Sequence, residues 1–140
     1  MGAMPGVLAK LNLRSAGEIL VLAAPASFEK ELPALGNIRV IRTVREARHV
    51  TFAIAFVTQK ARLERIWKVL AAKAVADAVI WFAYPKVASG RYRTDLNRDH
   101  GWDCVREGGW DSVRQIAIDE DWSALRFRRR EFINRRAAPR

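Results

Sequence analysis

A chain of 140 residues is long enough to bury one hydrophobic core and too short for two. Half of it is apolar and 29% is charged, a globular mixture, and its longest apolar runs reach only about half the length of a membrane span. A single cysteine excludes a disulfide framework, and a cytoplasmic protein is expected; the net charge of +10 is the strongest oddity of the composition.

Residues 1–4 (MGAM) are set aside as an expression remnant, and one domain is drawn over 5–132, with 133–140 as a basic flexible tail. Residues 18–24 (EILVLAA) form an apolar run stopped by Pro25 and read as a buried strand. Ser27 is the expected N-cap of a short helix with Phe28, Leu32 and Leu35 on one face; Pro33 limits it to about two turns. Residues 38–41 read as a second strand and 42–48 as a surface loop. Residues 50–57 (VTFAIAFV) are apolar on both faces, the pattern of a central strand covered on both sides.

Thr58 is the expected cap of the strongest helix, 59–73. Its Leu63, Ile66, Trp67, Leu70 and Ala74 recur at helical spacing. Residues 78–84 (AVIWFAY) are a further buried strand, stopped by Pro85. A polar loop over 86–94 follows, then an expected helix over 97–107 that Gly108-Gly109 ends. Residues 112–118 alternate as a strand, 119–121 turn, and 123–128 alternate apolar and basic residues. Strands alternating with helices predict an α/β, Rossmann-like sheet of five to six strands. It should be mostly parallel, with helices on both faces and an antiparallel C-terminal strand beside 78–84.

Ligands of open α/β sheets bind beyond the carboxyl ends of the strands. That edge gathers the segments 24–27, 58–59, 84–86 and 119–123. The candidate ligand-binding residues are Ser27, Thr58, Tyr84, Lys86, Asp95, Arg98, Asp121, Trp122 and Ser123. Tyr84 and Lys86 offer a hydroxyl and a cation; Asp95, Arg98 and Asp99 form a local charge network. Asp119, Glu120 and Asp121 have the oxygen ligands that a cation such as magnesium takes, but the reading taken is a solvated turn. No metal site is assigned, because Cys104, His49 and His100 are too few and too scattered for zinc. No catalytic residue and no cofactor is assigned either. The turn Ala23-Ala24-Pro25-Ala26-Ser27 has none of the glycines that let a backbone approach a pyrophosphate or an adenosyl group, and no other phosphate or nucleophile motif is present.

The charge excess is uneven. Residues 126–140 carry seven arginines and one acid. Arg128, Arg129, Arg130, Arg135 and Arg136 are the candidates for neutralising nucleic-acid phosphates; a solvated terminus is the other reading.

The segments Leu20-Val21-Leu22-Ala23-Ala24-Pro25, 81–86 (WFAYPK), Thr94-Asp95-Leu96 and 121–127 (DWSALRF) resemble an uncharacterised bacterial family of short α/β proteins, a domain of unknown function. More distantly, the element order is similar to the second half of the adenosylmethionine-dependent methyltransferase fold, although the glycine-rich first turn is missing and no acid stands at its expected place. The expected function is a non-enzymatic cytoplasmic binding module that takes a small anion or a partner protein, with no membrane involved. The alternative is a nucleic-acid-associated protein, and the third reading a degenerate methyltransferase-like enzyme.

Overall fold

The computed structural model describes residues 6–14 and 16–137, with side chains as far as 133. Residues 1–4, expected to be an expression remnant, and the last three residues of the expected tail, 138–140, lie outside the described residues. Six strands form one sheet: β1 (Glu18–Leu22), β2 (Arg39–Ile41), β3 (Val50–Phe56), β4 (Ala74–Pro85), β5 (Trp110–Ala117) and β6 (Trp122–Arg129). Between and after them come α1 (Ala26–Glu29), α2 (Lys60–Lys73), α3 (Asp103–Glu107) and α4 (Arg130–Ala137). The strand order is β2-β1-β3-β4-β6-β5. β2, β1, β3 and β4 are parallel, and β6 runs antiparallel between β4 and β5, as the alternation of residues 123–128 predicts. The order reverses between β1 and β3, which sets the switch point there.

Period-two alternation on the central strands builds two cores. Ala53 and Ala55 of β3 and Ile80 and Phe82 of β4 face α2 and α3, meeting Leu63, Trp67, Leu70, Trp102 and Val105. Phe52, Ile54 and Phe56, with Val79 and Trp81, face the opposite way, against Leu8, Leu11, Phe28 and Leu35. Trp81 and Phe82 are neighbours in sequence, both fully buried, one in each core. Each such side chain contributes roughly 1.5–3 kcal/mol by leaving water. Trp81 also donates its indole N–H to the Leu11 carbonyl at 2.9 Å, tying the chain before β1 to the sheet.

Several local expectations change. α1 is a single turn with Pro25 at its N-cap and no side-chain cap, so Ser27 lies inside the helix instead of capping it. Leu32–Leu35 forms a separate 3-10 turn with Pro33 near its start, a place where the missing N–H costs nothing. Gln59, not Thr58, is the N-cap of α2, and it makes no side-chain cap bond; the Asp95 carboxylate accepts from the Lys60 N–H at 2.7 Å in its stead. The helix over 97–107 shrinks to Asp103–Glu107 because Asn97 and Gly101 build a turn. Asn97 Oδ1 accepts from the Asp99 N–H. Gly101 has φ +107, and a Cβ there would come within 2.3 Å of Leu96 Cδ2. Residues 133–137 continue α4 as helix.

Candidate functional site

Strand register decides which residues meet at the carboxyl edge. Tyr84, near the end of β4, pairs with Ser123 on β6, and both lie on the α2–α3 side. The Tyr84 ring is 4% exposed and packs at 5.6 Å on Trp102. Its hydroxyl oxygen accepts from Gln115 Nε2 at 2.9 Å. Burial pushes the phenol above its ordinary pKa, with the Gln115 hydrogen bond and the Arg98 charge opposing that rise. The phenol therefore stays protonated at neutral pH, a hydrogen-bond donor rather than a base.

A cavity of about 530 Å³ surrounds it, with Lys86, Asn97, Arg98, Asp99, Gln115 and Ser123 in its wall. A second depression of about 710 Å³ adjoins, reaching Tyr92, Thr94, Asp95 and His100 and sharing Lys86 and Asn97 with the first. The Lys86 N–H donates to the Asp121 carbonyl at 2.8 Å, which fixes how the chain leaves β4. Two cations, one carboxylate and three neutral polar groups thus converge on a buried phenol. That set suits an anionic or polar small molecule. Among the described residues no group of three His, Cys, Asp or Glu side chains could hold a metal, and no helix is long and apolar enough to cross a membrane.

Of the sequence candidates, Tyr84, Lys86, Arg98 and Ser123 are brought together; the others are dispersed. Trp122 pairs with Pro85 one step along β6, so it faces the opposite core, 4% exposed, edge-on to Phe56. Asp121 accepts from Ser89 Oγ at 2.7 Å and lies 3.5 Å from Arg91, stitching down the loop after β4. Ser27 donates to Asp119 at 2.8 Å, away from the cavity. Thr58 is half-buried at the end of β3, and Asp95 caps α2. Gln115 and Asn97 were not anticipated; nothing but the pairing of β5 with β6 and the turn at Gly101 brings them here.

Arg128, Arg129 and Arg130 are all engaged within the chain. Arg128 grips Asp77 with two hydrogen bonds, 2.9 and 2.7 Å. Arg129 lies 4.7 Å over the Trp110 ring and donates to the Ala74 and Ala76 carbonyls. Arg130 bonds Asp111 and the Arg106 carbonyl. Arg135 and Arg136 are in α4, their side chains outside the described residues.

No protein-family model matches the chain, and no curated protein sequence does. Solved structures do match. An N-methyltransferase, NodS, from Bradyrhizobium japonicum WM9 superposes with a TM-score of 0.57 at 15% identity, covering 87% of this chain and 92% of that one. Magnesium protoporphyrin IX methyltransferase from Synechocystis PCC 6803, solved with bound SAH, gives 0.54 at 10% identity over 88% of this chain and 78% of that one. A SAM-dependent methyltransferase from Aquifex aeolicus gives 0.52 at 11% identity over 87% of each. At these identities the likeness establishes the fold, which is the Rossmann-like methyltransferase fold. It also corrects the sequence expectation of a non-enzymatic binding module, and with it the expectation that the chain is not an enzyme: the solved neighbours named here are all methyltransferases.

An adenosyl-bearing donor at the switch point needs an open turn after β1 and an acceptor for its ribose hydroxyls near the end of β2. The turn is open. Ala23 is exposed with φ +57, and Ala24 and Ala26 are small. The residue after β2 is a cation, Arg42, but it is ion-paired with Glu29 of α1, which brings a carboxylate to that end of the strand. The residues present fit the group on these two counts. They differ from a glycine-rich turn by carrying methyl groups along the approach to the main chain.

Proposed function

We propose that the protein is a methyltransferase-like enzyme of the cytoplasm, with an adenosyl-bearing donor over the β1–β3 switch point and a small, anionic acceptor in the Tyr84 cavity. The observation that carries this reading is the buried, protonated Tyr84 hydroxyl at the carboxyl edge of a methyltransferase-type sheet, beside Arg98 and Asp99. When bound, the donor supplies an electrophilic methyl group. Ala23, Ala24 and Glu29 would hold it. Lys86 and Arg98 attract the acceptor's charge, and the Tyr84 hydroxyl, its oxygen already taken by Gln115, directs its proton at the acceptor. Asp99 is the carboxylate in the wall that takes a proton from it. The resemblance of the segments 20–25, 81–86 and 121–127 to a bacterial family of short α/β proteins supports extending this reading to that family.

Calorimetric titration of the full chain with adenosylmethionine, and separately with its demethylated product, tests the proposal. Saturable binding is expected, weakened about tenfold in Glu29→Gln, the usual weight of a charge-assisted hydrogen bond. Absence of heat and of any thermal shift at millimolar ligand overturns it.

A further inference from the structure

The amino edge of the sheet holds a second concentration of charge that the Tyr84 site does not use. A cavity of about 480 Å³ opens there between the segment before β1 and the first turn of β4, with Leu13, Arg14, Thr51, Phe52, Asp77 and Val79 in its wall. Two of its lining residues hold left-handed backbone without being glycine: Arg14 at φ +57 and Ala76 at φ +46. Such conformations cost about 1 kcal/mol or more each and persist only where the surroundings enforce them. On β6, Phe127 packs into the α2–α3 core. Strand alternation therefore puts Arg126 and Arg128, on either side of it, on the face of Trp81 and Asp77.

The charges of this cluster do not cancel. Asp77 is held through both oxygens by Arg128. Arg14 donates to the Asp77 carbonyl at 3.1 Å and lies 3.7 Å from its carboxylate. Arg126 is then left facing Arg14, Arg128 and Arg114, with the already engaged Asp77 as the acid that acts on it. Four arginines against one carboxylate leave a net charge of +3. Arg114 is also the direct cross-strand partner of Arg126, and like charges placed opposite each other destabilise a sheet. Arg126 Nε and Nη2 are buried and have no hydrogen-bond partner among the described residues. Burial first, then its arginine neighbours, pulls this guanidinium below its ordinary range, yet a guanidinium stays charged. Buried donors without acceptors are costly, and an anion seated among them removes the cost.

We infer that Arg14, Arg114 and Arg126 form a phosphate-binding site on the sheet face beside this cavity, which Arg14 and Asp77 line, with Arg128 holding Asp77 in place. A phosphate fits better than a single carboxylate. It carries enough charge to offset the excess, and its three or more acceptor oxygens serve several guanidinium forks at once. The group can come from a small phosphorylated molecule or from a nucleic-acid backbone.

Inorganic phosphate titrated into the full chain, with ionic strength held constant by chloride and read by thermal shift and calorimetry, tests the site. The melting temperature is expected to rise with phosphate. Arg126→Met is expected to raise it in the absence of phosphate, by removing an unpaired buried charge, and to weaken phosphate binding about tenfold. Arg114→Gln, on an exposed position of β5, is a second variant that leaves the core untouched and should weaken phosphate binding similarly. A nucleoside monophosphate and a short single-stranded RNA separate the sources. Equal response per phosphate identifies the small ligand; tighter RNA binding with steep salt dependence identifies the backbone. A phosphate response no larger than that of matched chloride, or unchanged phosphate affinity in both variants, overturns the inference.

Discussion

Removing the Asp95 carboxylate tests whether a loop residue caps α2 from outside the helix. The first N–H groups of a helix have no partner within it, and here Gln59 at the N-cap supplies none. Asp95 Oδ1 accepts from the Lys60 N–H at 2.7 Å. Loss of a side-chain cap costs about 1 kcal/mol, and loss of a negative charge at the helix start adds about 0.3–1 kcal/mol. Asp95 is exposed, so water replaces part of the bond, and about 1.5 kcal/mol is expected for Asp95→Ala. For a chain of this size that is about 5 °C in Tm. Asp95→Asn keeps the acceptor and should cost about 0.5 kcal/mol. Gln59 has the extended backbone of a cap residue, φ −132 and ψ 141. Gln59→Asp should therefore restore about 1 kcal/mol in the Asp95→Ala background and much less in the wild type. Urea denaturation with unchanged m-values reads the wild type and all four variants. The reasoning fails if Asp95→Ala costs nothing measurable, or if Asp95→Asn costs as much as Asp95→Ala.

Trp81→Phe should destabilise the fold by about 1–3 kcal/mol, because the buried Leu11 carbonyl loses the indole N–H at 2.9 Å; equilibrium denaturation checks it. Tyr84→Phe should fold within about 1 kcal/mol of the parent, since the exposed Gln115 amide can turn to water; in any assay of the proposed transfer it should lower turnover more than donor affinity. Asp77 is held below its ordinary value of 3.8 by the Arg128 hydrogen bonds, then by the Arg128 and Arg14 charges, with burial opposing. The sign follows: its contribution is complete above that value and is lost as pH falls through the lower, folded one. Thermal melts from neutral pH to pH 2 should show an acid loss of stability that is smaller in Asp77→Asn, which itself costs about 1–3 kcal/mol at neutral pH.

Most of the architecture is legible in the residues. The apolar stretches at 50–57 and 78–84 are long, two-faced and stopped by a cap region or a proline, so nothing competes with a buried strand there. The antiparallel last strand is legible too, from alternating apolar and basic residues. The short elements are not. Asn97 and Gly101 override the helical spacing of 97–107 through a side-chain hydrogen bond and a left-handed backbone, and both are local features that periodicity does not carry. The site was half legible. Tyr84 and Ser123 meet because they are register partners, whereas Trp122, adjacent in sequence to Ser123, is turned to the other core. Asp95 reads as a ligand-binding acid beside Arg98 and Asp99 until α2, 35 residues earlier, is seen to lack a cap.

The arginines mark the largest difference between sequence and fold. In sequence they follow the site residues directly, since Ser123 and Arg128 are on one strand, and they read as a tail. Because β6 is antiparallel to β4, that strand carries Ser123 to the carboxyl edge and Arg126 and Arg128 toward the amino edge. Five residues of extended chain span about 17 Å, roughly twice the screening length in physiological salt. Charge added or removed at Arg128 therefore leaves the potential at Tyr84 nearly unchanged, while Arg98 and Lys86 set it directly. The two ends of β6 must then respond separately: substitution of Arg14, which bonds Asp77, acts on phosphate binding alone, and substitution of Tyr84 acts on the proposed acceptor alone.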